Sequence, residues 1–191
     1  MVTRVLTDAN ALYSRTVRDW LILLQLRSSG GMFRTYWTED ILAETCYHLR
    51  KNHPDWDGGI ITRLRDKIAQ SLEGGRVDDF SIDGSFPGAD KDDQHVHAAA
   101  VACGADIVLT MDQGFSAAGV VDTLPYEVYE PDDFFVLVDN SAPELVYEVA
   151  EEQLKYWQGR GYGVSELLEA LRKASCADFA DRVAGHLTVR P

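Results

Sequence analysis

The sequence has few cysteines and no long apolar run. Cys46, Cys103 and Cys176 are odd in number and widely spaced, which argues against a disulfide framework and favours a reducing compartment. No apolar run approaches the roughly 18 residues of a membrane-spanning helix, and the first ten residues, MVTRVLTDAN, have no signal-peptide core. These absences predict a cytoplasmic globular protein that has no membrane partner.

An organised set of zinc ligands is also missing. Neither C-x-x-C nor H-x-x-x-H occurs in the sequence. His95 and His97 are two residues apart, so on a helix they would not face the same way. Zinc held by these histidines with Cys103, or by Cys46 with His48, is therefore a weaker alternative.

Basic residues are scarce in the middle of the chain. The net charge of −13 at first argues against nucleic acid, because phosphates favour Lys and Arg. The acids are segregated, however: residues 1–70 have a net charge of +2, residues 71–159 of −16 and residues 160–191 of +1. A nucleic-acid surface on the first or last part, or a basic protein partner, is compatible with this distribution.

Apolar periodicity and chain breakers predict an α/β domain. A strand ends at Thr7, a second covers Phe33 to Trp37, and a third, at 107–109, is apolar throughout, as in a strand buried on both faces. Helical patterns separate these strands, which favours a parallel sheet. The other predicted elements are helices at 11–27, 38–51, 60–72 and about 93–103, a short strand at 77–82 and a last strand at 126–129.

Beyond residue 139 only helical patterns remain. The stretch from Asp139 to Pro143 is the best boundary in the chain. Helices are predicted at about 143–158, 165–174 and 175–187, the last beginning with a variant capping box of Ser175 and Asp178. We therefore predict an α/β domain over residues 1–138 and an all-helical C-terminal extension over residues 139–191.

Four acidic residues are expected at one edge of the sheet. Asp8 and Asp112 follow strands and Asp93 begins a helix, and open α/β sheets bind ligands at the carboxyl ends of their strands. Glu44 lies at the edge of an apolar helix stripe, where a carboxylate needs a partner or a metal. Four carboxylates in one hollow would repel one another without a cation. Oxygen ligands suit Mg²⁺ or Mn²⁺.

Each assignment has a structural alternative. The chain has 31 acidic residues, so chance is the better explanation for the position of any single acid near the end of an element. The alternative for Asp8 is a cap of the next helix, a role that can coexist with a site role. Asp90 and Asp92 compete with Asp93, which we prefer for its register with the following alanines.

Polar and basic residues near these acids extend the hypothesis. Thr110 would hydrogen-bond a carboxylate or a phosphate. Arg15 and Arg18 follow Asp8 closely in the sequence and would either hold phosphate or form a solvated helix face, and Arg34 is a further candidate for steering a nucleic-acid backbone.

Four acidic segments follow one another in the chain: Asp8-Ala9-Asn10, Thr38-x-x-Ile41-Leu42-x-Glu44, Asp93-Gln94-His95-x-x-Ala98-Ala99-Ala100 and Thr110-x-Asp112. Taken in this order, they resemble the PIN-domain family, and in particular the VapC-like toxins of toxin–antitoxin pairs. The similarity covers about residues 2–138, and the tail run GYGVSELLEAL resembles an extension that one branch of these proteins has.

The resemblance implies a three-layer α/β/α fold in which helices flank a parallel sheet. It also implies a homodimer, a cognate antitoxin protein that covers the site, and a Mg²⁺- or Mn²⁺-dependent endoribonuclease acting on RNA. The catalytic and metal-binding residues so implied are Asp8, Glu44, Asp93 and Asp112, with Asn10 and Thr110 supporting them.

The sequence departs from the family in one segment. Near relatives often have T-x-N-x-x-D-F, whereas this chain has Thr110-Met111-Asp112-Gln113-Gly114-Phe115, so the fourth acid is expected at Asp112 on a shortened loop. Two other readings remain. An aspartyl-nucleophile phosphatase of the haloacid-dehalogenase type would need a second acid at Asn10, and a non-catalytic PIN-like module would use its acids for capping or for a basic partner.

Overall fold

The computed structural model describes residues 2–28 and 31–189, and these residues form four strands and ten α-helices. The chain divides into two compact units, Met1–Tyr13 with Gly31–Tyr129 and Ser14–Gly30 with Glu130–Pro191. Residues 14–28 thus belong to the same unit as the C-terminal helices.

The helices fall between and after the strands as an α/β pattern requires. Among the described residues none of them is long and apolar enough to cross a membrane. In chain order they are α1 (Ala9–Tyr13), α2 (Arg15–Arg27), α3 (Glu39–Asn52), α4 (Gly58–Ser71), α5 (Gln94–Cys103), α6 (Gln113–Ser116), α7 (Pro131–Ser141), α8 (Pro143–Gln158), α9 (Val164–Lys173) and α10 (Ala177–Val189).

The first unit contains a parallel sheet flanked by helices, which confirms the predicted fold class. Strands β1 (Thr3–Thr7), β2 (Phe33–Tyr36), β3 (Ile107–Leu109) and β4 (Glu127–Tyr129) pair in the order β2-β1-β3-β4. All three residues of β3 are buried, as its apolar run predicts. Because β2 and β3 pair on opposite sides of β1, the strand order reverses there, and ligands bind at such a switch point.

Helix α3 is fixed at its start and along one face. Thr38 Oγ1 accepts a hydrogen bond from Ile41 N at 3.1 Å and so caps the helix. Thr45 Oγ1 donates to Ile41 O at 2.8 Å and lies 3.4 Å from Ala9 O of α1. This contact brings the neighbouring Glu44 towards the segment that follows β1. The predicted buried stripe is confirmed and consists of Ile41, Leu42, Thr45 and Leu49.

Helix α5 ends as its sequence predicts. Val96, Ala99 and Ala100 are at most 1% exposed. Gly104 has a φ of 59°, in the left-handed region that favours glycine, and a Cβ there would lie 2.9 Å from Arg4 Nη1. The helix therefore stops where β3 must begin.

Two predicted elements are wrong in detail. The helix predicted at 11–27 is broken at Ser14, whose Oγ accepts from Val17 N at 3.4 Å and caps α2. Within the described residues no strand forms at 77–82; Val77 N donates to Trp37 O, and the pairing goes no further. Only Val77 of that segment is buried, so there is no apolar face for a strand to cover.

The second unit is all helical, as predicted for the tail. Phe179 of α10 packs against Trp20 of α2 and Phe135 of α7, with ring centroids 5.0 Å apart in both pairs. Asp139, 4% exposed, accepts a hydrogen bond from His186 Nε2 at 2.6 Å, which joins α7 to α10.

The capping box predicted at Ser175 is wrong. Ser175 has a φ of 61° and lies outside α10, which begins at Ala177. The free N–H groups of Asp178 and Phe179 instead donate to the carboxylate of Asp132 on α7, at 3.1 and 2.8 Å. A side chain distant in sequence thus replaces a local cap.

Replacing Asp132 with alanine is expected to lower the free energy of unfolding by about 1 kcal/mol, because two N–H groups of α10 lose their acceptor. Asp133→Ala is the matched control, since Asp133 is exposed in the same first turn of α7. Urea unfolding of both variants measures the difference. Equal loss in the two variants would contradict the capping role.

Candidate functional site

Two of the four acids predicted from the sequence, Asp8 and Asp112, lie just past the carboxyl ends of β1 and β3. Thr7 and Leu109 are register partners in these strands. Asp8 follows directly, and its N–H donates to Leu109 O at 3.0 Å. Thr110 and Asp112 leave β3 at the same edge, so this group of residues stands at the switch point of the sheet.

Asp8 is held in one orientation by a small hydrogen-bond network. Its Oδ2 accepts from Asn10 Nδ2 and from Thr110 Oγ1, both at 2.7 Å, and its Oδ1 accepts from Ala9 N at 2.6 Å. Asn10 Nδ2 also lies 3.0 Å from Thr110 Oγ1, and Asn10 Oδ1 accepts from Met111 N at 3.0 Å. Asn10 and Thr110 therefore join the ends of the two strands around Asp8.

The carboxylate of Asp8 is 6% exposed, and its pKa is raised. Burial is the largest cause, and the charge of Glu44 acts in the same direction. The hydrogen bonds from Thr110 and Ala9, and the nearby His95, lower the pKa and oppose this effect.

Asp93 is the first residue before α5, yet its side chain does not cap that helix. It is 8% exposed, and within the described part of the chain its Oδ2 is buried without a hydrogen-bond partner. Asp90 and Asp92, which compete with it in the sequence, are both exposed. A buried carboxylate oxygen left unpaired is costly, so its retention points to a partner from outside the chain.

Asp93 and Asp112 approach each other across Gly114. A Cβ added to Gly114 would lie 3.1 Å from Asp93 Oδ2 and 3.0 Å from Asp112 Oδ1, so a larger residue would crowd both carboxylates. Gly114 N donates to Asp112 Oδ1 at 2.6 Å, and Asp112 N donates to Thr110 Oγ1 at 3.0 Å. The shortened loop after Thr110 thus holds Asp112 close to the other acids.

Burial and neighbouring acids together act on Asp93. The pKa of Asp93 rises from an ordinary 3.8 to about 7, first through burial, and then through the charges of Asp112, Asp90, Asp8 and Glu44. The raised pKa of Asp93 therefore reflects its burial first and the negative charge around it second.

The carboxylate of Glu44 lies beside two histidines, His48 and His95. Its Oε1 lies 3.4 Å from His48 Nε2, and its Oε2 lies 3.7 Å from His95 Nε2. His95 Nδ1 lies 2.6 Å from Asp92 O, which can only accept a hydrogen bond, and its Nε2 faces Glu44. In the sequence, the position of His95 two residues after Asp93 was the available signal for this contact.

The three arginines predicted to bind RNA lie on α2 and β2. Arg15 and Arg18 belong to the second unit, and Arg34 lies on β2 with Nη1 3.5 Å from Gly74 O. Arg18 is 5% exposed, and burial lowers its pKa. Their contact with RNA stays a prediction, and the burial of Arg18 gives it no support.

The residues fit a hard divalent cation by chemistry, although the side chains do not form a closed cage. Among the described residues no three acidic, histidine or cysteine side chains converge tightly enough to hold a metal ion as they stand. The carboxylate oxygens, the unpaired Asp93 Oδ2 and the mutual repulsion all match the preferences of Mg²⁺ or Mn²⁺.

A family model described as PIN domain matches residues 4–114, and a second, described as VapC50 C-terminal domain, matches residues 131–185. The chain belongs to the PIN-domain family and is VapC-like, with a C-terminal extension, as the sequence resemblance predicted. No curated protein and no solved structure matches it. Proteins of this family are typically nucleases, and PIN domains generally use divalent metal ions.

The raised pKa of Asp93 predicts a pH dependence of stability in the metal-free protein. Because the folded state binds this proton more tightly than the unfolded chain, the stabilisation is present at low pH and is lost as the pH rises through about 7. Asp93→Asn, which mimics the protonated acid, should therefore gain about 2 kcal/mol relative to the wild type between pH 5 and pH 8.

Urea unfolding in EDTA at the two pH values measures this gain. Asp92→Asn is the matched control, since Asp92 is exposed and adjacent. A gain that is the same in both variants would contradict the site-specific origin of the effect.

Proposed function

We propose that this protein is a Mg²⁺- or Mn²⁺-dependent endoribonuclease and the toxin of a toxin–antitoxin pair, acting in the cytoplasm. The observation that carries the proposal is the buried, unpaired Oδ2 of Asp93, which lies among Asp8, Glu44 and Asp112 at the switch point of a parallel sheet. Membership of the PIN-domain family supports a nuclease at this site.

Asp8, Glu44, Asp93 and Asp112 would hold the metal and act as the catalytic residues. When bound, the ion supplies an activated water and neutralises charge in an in-line displacement at a phosphodiester. Cleavage would leave 5′-phosphate and 3′-hydroxyl ends, because no 2′-hydroxyl need take part.

The protein's own residues prepare these acids for that role. Thr110 and Asn10 orient Asp8 through 2.7 Å hydrogen bonds. Gly114 N holds Asp112 Oδ1, so that Oδ2 is the Asp112 oxygen left to face a ligand. His95 lies beside Glu44 and limits the directions in which that carboxylate can point.

The wider assignments follow the same proposal. A nuclease domain over residues 1–138 would be followed by a helical extension over residues 139–191, in a homodimer inhibited by a cognate antitoxin protein. Arg15, Arg18 and Arg34 would steer the RNA backbone. The VapC50 C-terminal match supports assigning the extension to this branch of the family.

A second candidate function is a non-catalytic module that binds a basic partner through the acidic cluster. Asp112 has a structural role that such a module could use, since this acid is the N-cap of α6 and accepts a hydrogen bond from Gly114 N. Asp93 argues against this module, because its side chain does not cap α5 and is only 8% exposed, which leaves little of it for a basic protein partner to contact.

The nuclease proposal predicts that purified protein cleaves RNA with Mn²⁺, and that EDTA abolishes cleavage. Asp93→Asn should lower the cleavage rate by about a hundredfold or more, since a metal supplies several kcal/mol to such a reaction. Gel analysis of total RNA with mapping of the 5′ ends measures both effects.

Asp92→Asn is again the matched control and should cleave at the rate of the wild type. Cleavage that persists in EDTA, or in Asp93→Asn, would contradict the proposed site. Cleavage products without 5′-phosphates would contradict the proposed chemistry.

Isothermal titration separates the enzyme from the interaction module. The wild type should bind Mn²⁺, whereas Asp8→Asn should lose that binding, because an amide supplies one neutral oxygen where the site needs an anion. Asp106→Asn is the control, since Asp106 pairs with Arg4 at the other end of β3. If the wild-type protein binds no Mn²⁺, the proposed metal-dependent nuclease is contradicted and the non-catalytic binding module remains.

A further inference from the structure

The second unit contains a cavity of about 320 Å³ that the acidic site does not account for. Its walls include four aromatic side chains, Trp20 of α2, Tyr156 and Trp157 of α8, and Tyr162 of the following turn. This volume lies at the lower end of the range for small-molecule sites, which corresponds to a single small ligand.

The turn after α8 builds one wall of the cavity. Gly161 has a φ of 84°, a conformation that favours glycine, and it lets Tyr162 N donate back to Trp157 O at 3.1 Å. The rings of Trp157 and Tyr162 then meet edge to face, with centroids 5.6 Å apart. The segment GRGYG, residues 159–163, therefore separates α8 from α9 and also forms part of the cavity wall.

Gln153 supplies a polar group inside this cavity. Gln153 is only 8% exposed as a residue and lines the cavity. A primary amide carries two donor hydrogens and an acceptor oxygen. The side chain can therefore bind a ligand that offers both donors and acceptors.

Two arginines, Arg15 and Arg160, line the cavity. Arg160 Cζ lies 4.4 Å from the centroid of the Tyr156 ring, and Arg15 Nη2 donates to Tyr156 Oη at 2.9 Å. Asp19 is the one acidic lining residue and lies 3.5 Å from Arg15 Nε. Two guanidinium groups and one carboxylate leave a net positive charge here, in a chain whose total is −13.

We propose that this cavity binds one nucleotide unit of single-stranded RNA, an inference that rests on the proposed ribonuclease function. The base would stack on the aromatic walls and pair its edge with the Gln153 amide, while its phosphate would meet Arg15 and Arg160. An acidic peptide fits less well, because its carboxylates would satisfy the arginines and leave the amide and the aromatic walls unused.

The test is isothermal titration of the full chain in EDTA with AMP, GMP, CMP and UMP. At least one nucleotide should bind with a Kd of about 1 mM or below, and ribose 5-phosphate and inorganic phosphate should bind at least about tenfold more weakly. No binding by any of the four, or equal binding by inorganic phosphate, would overturn the proposal.

A short single-stranded oligoribonucleotide distinguishes the two sources of such a ligand. It should displace the bound mononucleotide, because the site takes a unit of RNA. Failure to displace it would mean that the cavity serves free nucleotides, which overturns the RNA assignment.

Gln153→Leu should weaken nucleotide binding by about tenfold, whereas Gln158→Leu, an exposed position on the same helix, should not. If Gln153→Leu loses its cooperative unfolding transition, Arg160→Gln at the exposed mouth decides instead, with Arg172→Gln as its control. Unchanged binding in a folded Gln153→Leu, or in Arg160→Gln when that variant decides, would overturn the proposal.

The outcome is independent of the acidic site. Asp93→Asn should bind nucleotides as the wild type does, since Asp93 belongs to the other unit. RNA cleavage without nucleotide binding would overturn the cavity assignment alone, and nucleotide binding without cleavage would overturn the proposed nuclease alone.

Discussion

The burial of Asp93 and Asp8 beside the further carboxylates of Glu44 and Asp112 is the constraint on which the proposed function depends. Asp93 has an oxygen with no hydrogen-bond partner in the described residues and a pKa of about 7, and Asp8 is buried nearby. A fold selected for stability alone would have replaced such a residue or given it a donor. A divalent cation would compensate the negative charge of these carboxylates. A functional site would therefore explain why the chain keeps a buried acid that lowers its stability.

Neutral residues around the acids support this arrangement. Asn10 and Thr110 together satisfy Asp8 and connect two strands that are about a hundred residues apart in the sequence. The missing side chain of Gly114 leaves room for Asp93 and Asp112 to approach. Substituting these neutral residues would move the acids without changing the charge of the site.

The sequence predicted elements whose causes are local. The apolar run of β3, the glycine stop at Gly104 and the bounds of α8 needed only propensity and breakers. It failed where distant contacts decide: the cap of α10 comes from Asp132, and residues 77–82 lack an apolar face. Asp93 was preferred by its register, but its burial and the role of His95 beside Glu44 depend on how α3 and α5 meet, which no local pattern encodes.

The most direct test of the central claim is a carbon-13 NMR titration of the Asp93 carboxyl group, with and without Mg²⁺. A cation-binding Asp93 should have a pKa near 7 in EDTA, and this pKa should fall clearly when Mg²⁺ is added, because a bound cation favours the ionised form. A carboxyl group that titrates near its ordinary value and does not respond to Mg²⁺ would contradict a metal site at Asp93.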